Sequence, residues 1–445
     1  MSHLGQNCLF DMWESRSVVS FHTSSMWPGY REEAIQAFLN GEGAGPVATT
    51  PTNLDLAKER RAAVQRFIDH VRAMPTPPVC APAYLEYEAE RLAILDSIIN
   101  AAEGQPVLRQ LDLLWGRPED MRGGDALAWL KADVAALGPQ SDEVAQAQAR
   151  ILKLWPDITA GTQLKQVFDE LEAHRLALAP IVRQRHPYID ELMADLPDGD
   201  ATSEQAAAFL AAGLHRMLPP NSGWDAEVQA EAPNILNDNG RRRLVIPAGR
   251  TYSQARLEAL LIHEVGVHDL RAANGNLSAE RLASVGMPGY GAGEEAFGTL
   301  YGGAGKPDRN FSYDVLAFGV FDLASRPGAA TFRIIHERVS DLMLCLANPS
   351  QEEIATQLPA IRRAAFSRCI RTCRMGTAVI TERSISKYWR GMNIIHEYLT
   401  EHGVSPETVE TFLAGKYDCR RADQLSLIRY HTLEAPSDSS QLPKI

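Results

Sequence analysis

Apolar residues recur every three or four positions through most of the chain, broken by short polar or Pro-containing stretches. That period predicts amphipathic helices over 84–102, 126–136, 141–154, 162–179, 187–195, 203–218, 313–324, 329–347, 352–374, 384–402 and 406–414. Around Trp224 the period changes. Trp224, Ala226, Val228 and Ala230 alternate with polar residues, and the apolar run 243–247 follows the turn-forming Asn237-Asp238-Asn239-Gly240. A β-hairpin is expected there. The fold class is therefore predominantly α, with a small β-hairpin or sheet beside one central helix.

That helix spans 257–273, with Asn274-Gly275 as its expected αL stop. The pattern divides the chain into a mobile arm (1–55, rich in Ser, Gly, Thr and Pro around one helical patch at 31–39), a helical unit (56–200), a second unit (201–432) and a disordered tail (433–445).

The central helix carries His263-Glu264-Val265-Gly266-Val267-His268. Two imidazoles four apart on a helix, with a Glu after the first, form a zinc-hydrolase signature. Here they are five apart, which on an ideal α-helix separates them by about 140°. A shared ion then requires a π-type widening, or a second His beyond the last regular turn. Gly266 is the residue that would accept the distortion most readily. A solvated polar face would also explain two His and a Glu, but Leu257, Leu260, Leu261, Ile262, Val265 and Val267 make the surroundings apolar, and buried ionisable groups need partners.

A third ligand is expected in Gly289-Tyr290-Gly291-Ala292-Gly293-Glu294-Glu295, a Gly-rich approach delivering two acids to the start of a helix. Either acid suits a metal, and both also suit a helix N-terminus. Asp269 and Glu294 are candidates to orient the imidazoles, and Tyr290 is the candidate second donor to an oxyanion.

A net charge of −12 argues against nucleic acid or an anionic membrane as partner, and no segment has the length of a membrane span. The six scattered Cys and the lack of an apolar leader-like run point to a reducing cytoplasm. Arg241-Arg242-Arg243, the densest basic run, reads either as a solvated turn or as a docking patch for an acidic peptide.

The motif 263–268, together with Asn274-Gly275, Gly289-Tyr290 and Glu294-Glu295-Ala296-Phe297-Gly298, resembles the MATCAP-like metallopeptidases, the tubulin-tyrosine carboxypeptidases, whose bacterial relatives carry a Gln-Glu-Gly-Leu-Ala motif. Weaker similarity at Leu114-Trp115-Gly116-Arg117-Pro118, Gly223-Trp224 and Tyr388-x-Arg390-Gly391 extends it over roughly 53–427. The sequence departs from that family at 296–298, where the family has Gly-Leu-Ala, and at 382–387, where it has a Phe-Thr-Lys-Asp run.

The resemblance implies an α+β metallopeptidase with one Zn2+ per chain held by His263, His268 and Glu295, and with Glu264 as general base. It implies a carboxypeptidase acting on the C-terminus of a peptide or protein. Such an enzyme needs a cation for the terminal carboxylate. Arg368, Arg371, Arg374, Lys387 and Arg390, with Tyr388 nearby, are available, and the family order favours Arg371. A zinc endopeptidase or aminopeptidase, and a non-catalytic metal-binding regulatory protein, are the alternatives; retention of Glu264 weighs against the last.

Overall fold

The computed structural model describes residues 4–15, 26, 29–103, 124–154, 164–230, 232, 235–239, 241–303, 332–372 and 384–429. The expected helix at 313–324, the 114–118 turn and the 433–445 tail lie outside them. The fold is mostly helical with two small sheets, as the periodicity predicts.

Among the described residues of the N-terminal stretch, 4–15 and 32–39 are built into the fold rather than forming an arm. Helix α1 (Leu4–Ser15) inserts Leu9, Phe10 and Trp13 into a core shared with α3 (Leu54–Arg72) and α4 (Ala81–Ala102). Helix α2 (Glu32–Leu39) buries Phe38 against Phe332 and Phe366, with ring centroids 5.3 and 5.6 Å away. The Ser/Gly-rich composition masked these few aromatic anchors. Asn53 caps α3 by accepting from the Leu56 amide.

Helices α5 (Gly124–Ala136), α6 (Asp142–Leu152, capped by Ser141), α7 (Leu164–Arg185), α8 (Ile189–Ala194) and α9 (Ser203–Met217) follow. Helix α7 continues through Pro180, a turn and more past the expected 179. Thr202 and Gln205 close α9 with a reciprocal capping box. One core runs from Leu130 to Leu413, and the core of α1, α3 and α4 includes Leu282, Met287, Tyr417 and Ile428. Neither core respects a division at residue 200.

The sheet differs from the expected hairpin. Strand β1 (Ala201–Thr202) pairs with β5 (Thr251–Tyr252), whereas β2 (Asp225–Gln229) pairs in parallel with β4 (Arg243–Pro247), and β3 (Leu236–Asp238) joins β4 antiparallel from the other side. Strands β2 and β4 stand where the pattern around Trp224 and at 243–247 predicts them, but they pair in parallel, and it is β3, at the expected turn, that forms the antiparallel hairpin with β4. Central β4 buries Leu244, Val245 and Ile246, which leaves β3 on the edge. The basic run is held locally: Arg241 pairs with Glu227, Arg242 (φ 53°) donates to the Ser222 carbonyl, and Arg243 donates to the Gly223 carbonyl.

Helix α10 (Gln254–Leu260) runs without a break into a π-helix (Leu261–Asp269) and then α11 (Leu270–Leu277). The expected Asn-Gly stop lies inside α11. There Asn274 donates to the Leu413 carbonyl, and Gly275 sits where a Cβ would meet the Ala283 carbonyl at 2.2 Å. After α12 (Leu282–Val285), helix α13 (Tyr290–Tyr301) packs on the π-helix and on α16; α14 (Phe332–Ala347), α15 (Ile354–Thr372), α16 (Ser384–His402), α17 (Pro406–Leu413) and α18 (Ala422–Arg429) complete the order. At the α13–α16 crossing Gly391 lets the backbones meet: a Cβ there would lie 2.3 Å from the Ala292 carbonyl oxygen. Among the described residues no helix is long and apolar enough to cross a membrane.

Candidate metal centre

Of the two arrangements that would let imidazoles five apart share an ion, the structure has the π-type widening. Within the π-helix, i and i+5 share a face, and the Nε2 atoms of His263 and His268 stand 3.1 Å apart with ring centroids at 4.8 Å. Packing from behind holds the wide turns. Leu261 lies against Gly213 of α9, so closely that a Cβ on that glycine would overlap it. A Cβ on Gly266 would sit 3.0 Å from Met217 Cε and 3.9 Å from His186 Nε2. His186 is itself buried between the hydroxyls of Tyr188 (3.0 Å) and Tyr301 (3.5 Å), and burial pushes its pKa down to about 3.

Helix α13 supplies the acids. Gly289, at φ 79°, starts it beside Asp418, so Glu294 and Glu295 fall in its second turn and not at its N-terminus. Their roles separate by geometry. Glu295 presents Oε2 to His263 Nε2 and Oε1 to His268 Nε2, each at 4.0 Å. Glu294 instead accepts from His268 Nδ1 at 2.9 Å. Behind Glu294 are two buried cations, Arg271 (3.3 Å) and Lys416 (3.6 Å). Arg271 also donates to the carbonyls of Gly415 and Tyr417 and stacks over Phe412, 4.3 Å from its ring centroid. One turn on, Gly298 gives the His263 ring its space, since a Cβ would lie 3.0 Å from Nδ1, and its backbone hydrogen-bonds that ring.

The donor set fits a cation. Both imidazoles are tethered away from Nε2, by Glu294 and by Gly298, so their Nε2 atoms face each other with Glu295 alongside. Two lone pairs at that distance repel unless a proton or a cation lies between them. Burial pushes the pKa of His263 down. Burial also opposes charge on His268, but the carboxylates of Glu294, Glu295 and Glu264 outweigh it and push its pKa up to about 9. Glu294 is buried too, yet Lys416, His268 and Arg271 hold its pKa well below the usual carboxylate range. Two imidazoles and a carboxylate form a recurrent catalytic zinc set. Among the described residues, the donor atoms of His263, Glu264 and His268 also lie within 4.8 Å of one another. Glu264, however, is engaged elsewhere: its Oε2 accepts from Asn237 Nδ2 at 2.8 Å.

Of the two expected orienting groups, Glu294 touches an imidazole. Asp269 is fully buried, both its oxygens lack a hydrogen-bond partner among the described residues, and burial and Glu264 push its pKa well up. Tyr290 packs over Gly286 and near Lys416, and no hydrogen bond or ion pair joins it to the two His, Glu264 or Glu295. The backbone places Arg371 in α15 and Lys387, Tyr388 and Arg390 in α16, and their side chains lie outside the described residues.

Asn237, Arg271, Lys416 and His186 join the site without having been expected. Asn237 reads in sequence as a turn former, and Arg271, three residues after His268, carries a weak positional signal. Lys416 carries none. Comparison of the chain with family models, with curated proteins and with solved structures finds no match.

Proposed function

We propose that the protein is a zinc-dependent peptidase. The observation that carries this reading is the convergence of His263, His268 and Glu295 across a π-turn with Glu264 beside them. A zinc ion held there supplies Lewis acidity, which makes water a nucleophile at neutral pH and polarises a carbonyl. Glu264 has Oε2 tied to Asn237, so Oε1 is free to take the proton of the attacking water and return it to the departing amine. Glu294, with the charges of Arg271 and Lys416 behind it, fixes the His268 tautomer and leaves Nε2 as the atom that would hold a zinc ion. The carboxypeptidase assignment rests on the resemblance to MATCAP-like enzymes.

The test is metal analysis together with hydrolysis of a C-terminal peptide library followed by mass spectrometry, comparing wild type with Glu264→Gln. One zinc per chain and loss of a single terminal residue, abolished in the variant, support the carboxypeptidase. Internal cleavage with zinc bound replaces it with an endopeptidase. Absence of stoichiometric metal from both proteins overturns the assignment.

A further inference from the structure

The edge strand β3 reaches the active-site carboxylate through one side chain. Asn237 Nδ2 donates to Glu264 Oε2 at 2.8 Å, and among the described residues no other hydrogen bond reaches that carboxylate. A carboxylate only accepts, so the amide is oriented with its NH2 toward Glu264. Its Oδ1 then points away, buried and without a partner among the described residues. The sheet itself has no use for an amide here. Asn237 stands opposite fully buried Leu244, and the neighbouring pair is Leu236 with Val245, a setting in which an apolar or β-branched residue would stabilise the ladder better. The strand that carries it is braced: the Arg241 amide donates to Asp238, and the Arg241 guanidinium pairs with Glu227.

We infer that Asn237 is a positioning residue for Glu264. It holds one carboxylate oxygen from the sheet so that the other stays aimed at the reacting atoms. Being neutral, it does so without setting a second charge beside Glu264. The inference rests on the peptidase reading above, but not on which peptide bond is cut.

The experiment uses zinc-loaded full-length protein and the peptide that wild type hydrolyses best, comparing wild type, Glu264→Gln, Asn237→Leu and Asn237→Asp. Asn237→Leu is expected to bind zinc one to one, to keep KM, and to lose about 10- to 100-fold in kcat, as for a catalytic group displaced by about an ångström. Asn237→Asp, which sets a carboxylate against Glu264, is expected to displace the pH profile as well. A change confined to stability, or an equal loss in KM, would make Asn237 structural and overturn the inference. Unchanged kcat in Asn237→Leu, with Glu264→Gln inactive, overturns it while leaving the peptidase standing. Equal rates in wild type and Glu264→Gln overturn the peptidase reading, and the role of Asn237 with it.

Discussion

His263 and His268 bring their Nε2 atoms to 3.1 Å although they stand five positions apart, because the helix between them has π and not α hydrogen bonding. The pair is then completed by a residue from another helix, Glu295, at 4.0 Å from each. Replacing His263, His268 or Glu295 with Ala is therefore expected to reduce bound zinc below one per chain. Glu264→Gln is expected to retain it, and Glu294→Gln to retain it with roughly 10- to 100-fold lower affinity. Competition with a chelator of known affinity, read by elemental analysis, separates the three classes. Retention of full affinity by Glu295→Ala together with loss in Glu264→Gln would exchange the roles of the two acids.

The buried charges behind the site should behave as a unit. Glu294 lies between His268, Arg271 and Lys416, with Lys416 and Arg271 both almost wholly buried. Removing one partner leaves an uncompensated buried charge, which costs about 3–5 kcal/mol. Lys416→Met is thus expected to lower the unfolding temperature clearly. The double variant Lys416→Met/Glu294→Gln should lower it by less than the sum of the single changes. Additive losses would mean that Lys416 and Glu294 do not share one electrostatic site.

The pH dependence of stability should carry the signature of His186. Its pKa falls to about 3 in the fold from an ordinary value of 6.5, so the folded ring stays neutral where the unfolded chain takes a proton. The stability tied to this ring is present above pH 6.5 and is lost as pH falls through the interval down to about 3. At about 1.4 kcal/mol per pH unit, the loss by pH 5 is about 2 kcal/mol. His186→Phe removes the titration. Thermal unfolding at about pH 7.5 and pH 5 should show a smaller acid-induced drop for this variant than for wild type, whatever its baseline stability. Equal drops would exclude His186 as a source of acid sensitivity.

The helical periodicity placed most of the described helices to within a few residues, though not α1, α12 or α18, and the five-residue His spacing called for either a π-turn or a second His beyond the last regular turn, because no α-helix puts i and i+5 on one face. The sequence was silent where two elements must meet. Alternation marks the faces of β2 and β4 but not whether they run parallel. Glu294 and Glu295 are chemically identical neighbours: the family resemblance alone favoured Glu295 as ligand, and it is the roll of α13 against the π-helix that puts Glu295 at the Nε2 face and Glu294 at Nδ1 of His268. Lys416 lies 122 positions past Glu294 in a segment with no motif, so nothing local announces it.

The same limit hid the N-terminal helix, which yields the last prediction. Trp13 stands in a Ser-rich stretch, yet it is fully buried, lies edge-on to Tyr84 and Tyr87, and donates from Nε1 to Glu88, whose own side chain is buried. Asp11 and Phe10 meet Arg281, through an ion pair and through a ring 4.3 Å beneath the guanidinium. From Arg281 the chain passes through Leu282 and Met287, part of the same core, into the helix that carries Glu294 and Glu295. Trp13→Ala is expected to cost about 3–5 kcal/mol, since it empties a core site and leaves Glu88 one donor short. Trp13→Phe, which keeps most of the volume but not the N–H, should cost less. Thermal unfolding of both variants, with proteolysis to follow release of the N-terminus, decides whether α1 is a structural part of the fold. Near-wild-type stability in Trp13→Ala would return residues 4–15 to the dispensable arm that their surroundings in sequence suggest.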